Sequence, residues 1–242
     1  MKNENNRNAY VGMNIETLIK NSIVDHPSVI NKIKRQFNIN GKLDNTSKAG
    51  IYRGKSDVRI AFTCGHYVDA NIKGYKTGFN QLTRTSVAGF CKKFGLDNKD
   101  KQELENIIIA KSRNPKNSLF SEQNQKKWDK FFREKAKVLL EWGFSDHPSR
   151  EILVIYDINS SIVRIYPMKK VLSKLSTEIK FTKGGLNIGK CISFQRKGGN
   201  GSMSKTVSKT SIKHPGNNVQ LKLKIVKMIP LLDNVKLAEY TI

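Results

Sequence analysis

Two short stretches carry side chains whose types and spacing could do chemistry together. They are Ser56-Asp57, at the head of the run Val58-Arg59-Ile60-Ala61-Phe62, and Asn71-Ile72-Lys73, at the end of the next extended segment. The chemistry would be phosphodiester hydrolysis, which needs a metal ion near the phosphate, an activated water and stabilisation of the charge that builds on phosphorus. An acid at the start of one strand and an acid-x-Lys triplet on its neighbour supply those parts. Strand side chains alternate, so Asn71 and Lys73 share a face while Ile72 points into the core. In an antiparallel hairpin of this length Asp57 falls opposite that end of its partner, and the three polar groups meet. Asn71 stands where a carboxylate is expected. Its amide oxygen can still ligate magnesium, a hard cation, but it brings less charge. Asp69 lies on the same face and is a rival or supplementary ligand. The same pattern also describes a solvated sheet face that happens to carry an Asp and a Lys.

The elements that would position these residues follow from apolar spacing. Met13 to Ile23 and Val29 to Phe37 predict two N-terminal helices, with Pro27 opening the second and Asp25 as its cap. Gly41 to Lys55, rich in Gly, Asn and Ser, reads as a loop. Val58 to Phe62 and Tyr67 to Lys73 read as a hairpin broken at Gly65. Phe79 to Phe94 and Lys101 to Ser112 are expected helices. Phe120 to Trp142 is another, its stripe of Trp128, Phe131, Phe132, Val138, Leu139 and Trp142 being helix core. Glu151 to Tyr156 and Ser161 to Tyr166 form an expected hairpin across residues 158–161, and Met168 to Ser176 a helix. Strands are expected at Cys191 to Gln195 and Val219 to Ile225, with a Gly-, Ser- and Thr-rich connection, Gly198 to Gly216, between them. The mixture predicts an α/β or mixed α+β fold. It is expected to be one domain over 1–242, with a core and helices in 1–178 and a basic part in 179–242.

Forty-four Lys and Arg stand against twenty Asp and Glu, a formal net charge of +24, and 38% of residues are hydrophobic, enough for a real core. Between Ile179 and Leu232 there are eleven Lys and Arg and no acidic residue. Such a field attracts polyanions, nucleic acid first among them. Charge that only keeps the protein dispersed is one competitor. An acidic membrane surface is another, and it needs an anchor. Met1 to Tyr10 is polar and Asn-rich, and no run approaches the ~18 apolar residues of a bilayer span. Cys64, Cys91 and Cys191 are odd in number and far apart, and read as buried thiols in a reducing compartment. His26, His66, His147 and His214 are scattered, without metal-ligand spacing.

The stretch Gly54-Lys55-Ser56-Asp57-Val58 followed by Asn71-Ile72-Lys73 resembles the active-site hairpin of the Msp-type and HinP-type restriction endonucleases, type II four-base cutters of the PD-(D/E)XK nuclease superfamily. Three later islands are similar in the same order: Gly78-Phe79-Asn80-Gln81, Ile192-Ser193-Phe194-Gln195-Arg196-Lys197-Gly198-Gly199, and Val219-Gln220-Leu221-Lys222. The resemblance runs from about Gly54 to Lys224. Asn71 matches the Msp-type branch, in which an amide replaces the carboxylate. It departs from the HinP-type pattern, which has Gln there and a longer interval after the acid.

The resemblance implies a central mixed sheet flanked by helices and a basic C-terminal lobe. It implies Mg2+ as cofactor, with Asp57, Asn71 and the Ile72 carbonyl as ligands, and Lys73 orienting or deprotonating the attacking water. The product would carry a 5′-phosphate. Lys55, Ser56, Gln81, Gln195, Arg196, Lys197, Gln220 and Lys222 would contact double-stranded DNA, with Gln81 at the centre of the recognition site. Arg and Lys can donate to guanine O6 and N7, and Gln220 and Lys222 share a strand face by alternation. A short palindromic G/C site, action as monomer or homodimer, a cognate DNA methyltransferase and a prokaryotic cytoplasmic location complete the expectation. Two other functions also fit the residues. One is a non-catalytic DNA- or RNA-binding protein in which Asp57 and Lys73 only pair their charges, and the other is a repair or mobile-element nuclease built on the same hairpin.

Overall fold

The computed structural model describes the backbone of residues 7–49, 55–78, 80–199 and 206–242, and side chains from residue 12 onward. Gly54 and Phe79, which enter the motifs above, and residues 200–205 of the Gly198 to Gly216 connection lie outside the described residues. In chain order the elements begin with α1 (Arg7–Val24), α2 (Pro27–Phe37), β1 (Leu43–Lys48), β2 (Val58–Phe62), β3 (Tyr67–Tyr75), β4 (Asn80–Thr85), α3 (Val87–Phe94), α4 (Asn98–Arg113) and α5 (Glu122–Phe144). They continue with β5 (Glu151–Asp157), β6 (Ile162–Pro167), α6 (Met168–Lys174), β7 (Ile179–Thr182), β8 (Gly185–Ile188), β9 (Ile192–Arg196), β10 (Val219–Leu223), α7 (Ile225–Leu232) and β11 (Ala238–Thr241). The fold is mixed α+β. Among the described residues no helix is long and apolar enough to cross a membrane.

The chain forms two compact units that interleave in sequence. The first comprises Met1–Gly78, Leu140–Leu175 and Ile225–Ile242, and the second Phe79–Leu139 and Ser176–Lys224. Residues 225–242 belong to the first unit, and much of the helical region shares the second with residues 176–224.

The first unit holds a six-stranded sheet in the order β1-β2-β3-β5-β6-β11, parallel between β3 and β5 and antiparallel elsewhere. Val58 and Ile60 of β2 and Val68, Ala70 and Ile72 of β3 face one core, which Ile19 and Ile23 of α1 and Val29, Ile30 and Ile33 of α2 complete. Removing each such aliphatic side chain from water contributes about 1.5–3 kcal/mol, which is what fixes the register of the hairpin. Gly74 lets α1 approach β3 closely, because a Cβ there would lie 2.5 Å from Ile15 Cδ1.

The second unit holds an antiparallel sheet in the order β4-β10-β9-β8-β7. Its core is aromatic: Phe194 of β9 lies 5.1 Å from Phe132 and 5.3 Å from Phe90 between ring centroids. The stripe expected in α5 is core here, since Trp128 and Phe132 are buried, while Val138 is exposed.

Several expectations need correction. The supposed loop after Gly41 contains β1, a strand with no buried residue in its pattern and so no apolar signal. The supposed helix Phe79 to Phe94 is a strand followed by a shorter helix, and the break is Ser86, whose hydroxyl accepts from the Gly89 N–H at 3.0 Å as an N-cap. Asp25 does not cap α2; His26 holds the cap position and makes no side-chain cap bond. Cys64 is exposed rather than buried, with Sγ 3.4 Å from His66 Nδ1. β7, β8, α7 and β11 were not anticipated.

Candidate active site

Strand β2 begins one residue after Asp57, and the chain makes an irregular pairing at that point. The Asp57 N–H donates to the Ala70 carbonyl at 2.8 Å, although Ala70 is the register partner of Val58. Two residues thus oppose one, as in a β-bulge, and the bulge re-aims the first side chain. β3 runs on past the start of β2, so the Ile72 N–H on that edge has no strand to bond. It donates instead to Asp57 Oδ2 at 2.6 Å. A residue's N–H and C=O leave a strand on the same edge, which sends the Ile72 carbonyl toward the same side. Upstream, Asp146 Oδ2 accepts the Lys55 N–H at 3.0 Å, and the Lys55 ammonium lies 5.9 Å from the Trp142 ring centre. Ser56 is half-buried.

Burial pushes the Asp57 carboxyl above the ordinary carboxylate range, against the pull of the Lys73 charge and the Ile72 hydrogen bond. Asp57 and Lys73 feel each other without forming an ion pair within 4.0 Å. A second carboxylate joins them from α1. Burial raises Glu16 first and the Asp57 charge raises it further, while Lys48 and Lys73 oppose. Glu16 escaped the sequence reading because no local motif links a helix to a hairpin so far along the chain. The only signal was an acid beside the apolar stripe Ile15, Ile19 and Ile23.

On the opposite face of β3 from Ile72, Asn71 is 1% exposed. Its Nδ2 donates to the Phe144 carbonyl at 2.7 Å, at the C-terminal end of α5 where a helix has carbonyls to spare. A carbonyl can only accept, so this bond fixes the amide orientation and commits Oδ1 to the other side. Oδ1 is buried and, among the described residues, has no hydrogen-bond partner. Leaving an acceptor so costs about 1–3 kcal/mol, a cost that a cation would remove. Asp69 is no longer a rival ligand, since Arg59 holds both its oxygens at 2.8 and 3.0 Å. Glu151, also buried, is engaged by the Ser145 hydroxyl and by the His147 N–H at 2.8 Å. Among the described residues no group of three or more His, Cys, Asp or Glu is placed to hold a metal. The oxygen donors that suit a hard cation are the Asp57 and Glu16 carboxylates and the Ile72 carbonyl, and, on the face of β3 opposite the Ile72 side chain, the orphaned Asn71 Oδ1.

The remaining expected contacts fall on the second sheet, where register decides which side chains share a face. Gln220 lies opposite Gln195, and Lys222 opposite Ser193 and Gln81. These residues stand on the face away from Val219, Leu221 and Leu223, which are fully buried. Gln81 is exposed, whereas Gln220 is 2% exposed with Nε2 3.4 Å from the Lys197 carbonyl. Arg196 does not join them. It pairs with Val219 on the core side, and its Nε donates to Asn217 Oδ1 at 2.7 Å. Lys197 sits at the strand end with its N–H on the Asn218 carbonyl at 2.8 Å. Burial and the charges of Arg84, Arg196 and Lys222 all hold its ammonium below the ordinary lysine range.

No protein-family model matches the chain, and no curated protein does. Among solved structures the chain is similar to that of restriction endonuclease MspI in complex with its cognate DNA, at 14% identity and a TM-score of 0.48, over 81% of this chain and 77% of that one.

Proposed function

We propose that this chain is a magnesium-dependent endonuclease that cuts double-stranded DNA at a short palindromic site rich in G and C. In this reading it is a type II restriction enzyme acting as monomer or homodimer in the prokaryotic cytoplasm beside a cognate DNA methyltransferase. The observation that carries the reading is the β2–β3 edge: a half-buried Asp57 raised by desolvation, a second carboxylate from α1, and a lysine nearby that does not neutralise either by direct contact. A solvated sheet face would not bury its acid or orphan an amide oxygen on the neighbouring strand. An Asp57–Lys73 pair serving only structure would close to contact distance.

Asp57, Asn71 through Oδ1 and the Ile72 carbonyl would hold the cation, and Glu16 adds a carboxylate that the sequence motif does not contain. A bound magnesium would lower the pKa of its water and offset charge on the phosphoryl oxygens. The Ile72 N–H keeps the Asp57 carboxylate oriented along the strand edge. Lys73 would orient the attacking water and donate to the charge that develops on phosphorus. The water oxygen would bond to phosphorus in line with the 3′ oxygen as its proton passes to solvent, the P–O3′ bond would break with the 3′ oxygen taking a proton from solvent to leave as a hydroxyl, and the phosphate would stay on the 5′ end. On the second sheet Gln81, Gln195, Lys197 and Lys222 would meet the duplex, with lysines on phosphates and amides toward base edges. Lys55 and Ser56, just ahead of Asp57, would meet the strand being cut.

The test is digestion of a sequenced plasmid in magnesium, followed by mapping of the ends. A discrete ladder with 5′-phosphate termini at one repeated site is expected. Uncut plasmid, or a smear with no repeated site, would overturn the reading.

A further inference from the structure

Gln81 and Arg84 are three residues apart in β4, and in a regular strand that spacing puts side chains on opposite faces. Here it does not. The pairing of β10 with β4 shifts between Leu221, opposite Thr83, and Lys222, opposite Gln81. Leu82 is the extra residue, and it turns into the core at 7% exposure. The bulge brings Gln81 and Arg84 to the same face, the one that carries Lys222 and Gln220. Two polar rows result. One crosses all five strands as Gln81, Lys222, Ser193, Asn187 and Lys180, and the other runs Arg84, Gln220, Gln195 and Gly185. No side chain in either row is acidic, and β4 and β10 form the edge ribbon of the sheet. Arg84 is exposed, whereas its neighbour Gln220 is covered.

Given the nuclease reading above, on which this rests, we propose that the bulged β4–β10 ribbon enters the major groove of duplex DNA and that Arg84 is a specificity-determining residue, its guanidinium reading a guanine. The groove admits a two-stranded ribbon, and the forked donors of arginine match guanine O6 and N7. Among the described residues none of Arg84, Lys197 and Lys222 makes an ion pair with a carboxylate, and the charges of Arg84 and Lys222 bear on Lys197, so the face is complementary to a polyanion. Gln220 cannot reach a base from under its cover, which leaves Arg84 as the exposed fork on this ribbon.

The test is selection from a pool of duplexes with a randomised central segment, in calcium to hold binding without turnover, for wild type, Arg84→Ala and Arg84→Lys. Wild type should enrich one site containing guanine. Arg84→Ala should lose discrimination at one G·C pair, by roughly 5- to 150-fold, and Arg84→Lys, which keeps donors but not the fork, should lose part of it, while both keep preference at the other positions. Arg84→Lys retains the charge, so a mere phosphate contact would leave its preferences intact and only Arg84→Ala would weaken, equally on every sequence. That pattern, or unchanged preference in both variants, would overturn the role of Arg84 and leave the nuclease standing. A wild-type protein that enriches no duplex would take down the site-specific reading and Arg84 with it.

Discussion

At the β2–β3 edge Asp57 and Glu16 are carboxylates held above their ordinary range, by burial in both and by the Asp57 charge in Glu16. On the second sheet the reverse holds. Burial lowers Arg196, and burial with three neighbouring cations lowers Lys197. Compare the Arg59–Asp69 pair, which closes at 2.8 and 3.0 Å and so answers its own charge. The chain can build internal ion pairs, yet it leaves an acid-rich edge in one unit and an acid-free face in the other. Each is an unfavourable arrangement alone and a favourable one with its counter-charge present, a cation at the first and a phosphate polyanion at the second. Folding stability is sacrificed where a ligand is expected.

The largest effect that separates the regions concerns cutting. Asp57→Asn should reduce cleavage on the order of 10³-fold or more, and Lys73→Ala by about 10²–10³-fold, with duplex binding largely kept in both. Gel assays of cutting and binding on one plasmid fragment check this, and wild-type turnover in either variant would erase the division of labour. The cationic face should respond to salt instead. Lys197→Ala and Lys222→Ala should each lower the slope of log affinity against log salt by about one phosphate contact. An unchanged slope would mean that these lysines stay in solvent when DNA binds.

The smallest effect is on stability, and its sign is set by the direction of the Asp57 shift. The folded-state carboxyl stands above its ordinary 3.8. Between that value and the folded one, the folded protein holds a proton that the unfolded chain has lost, so stability falls as pH rises through the window and stays reduced above it. Asp57→Asn should therefore melt above wild type in EDTA at pH 8, with the gap closing as pH falls toward 3.8. Magnesium should raise the wild-type melting temperature more than that of the variant. A variant that melts below wild type at pH 8 would assign the carboxylate a structural role.

How much of this was legible in the sequence depends on where the signal lies. The β2–β3 hairpin was readable because Val58, Ile60 and Phe62 alternate cleanly over a buried face. β1 was not, because an edge strand with no buried residue carries no apolar period. β4 resembles a helix in sequence because its single buried residue, Leu82, sits at a bulge that destroys the two-residue period, and only Ser86 marks where the helix begins. The placement of Asn71 and Lys73 on one face followed from alternation. Glu16 did not, since its approach depends on α1 resting against Gly74 of β3, a contact between distant segments. The resemblance names Gln195 and Arg196 together, whereas strand alternation puts them on opposite faces, Arg196 opposite Val219.

The most direct test is a manganese soak of crystals of the free protein, with the ion located by anomalous scattering. The account predicts a peak in contact with the Asp57 carboxylate and Asn71 Oδ1, at the roughly 2.0–2.2 Å expected for small hard divalent ions on oxygen. Density only at surface sites, with Asn71 Oδ1 still unbonded at saturating manganese, would contradict it.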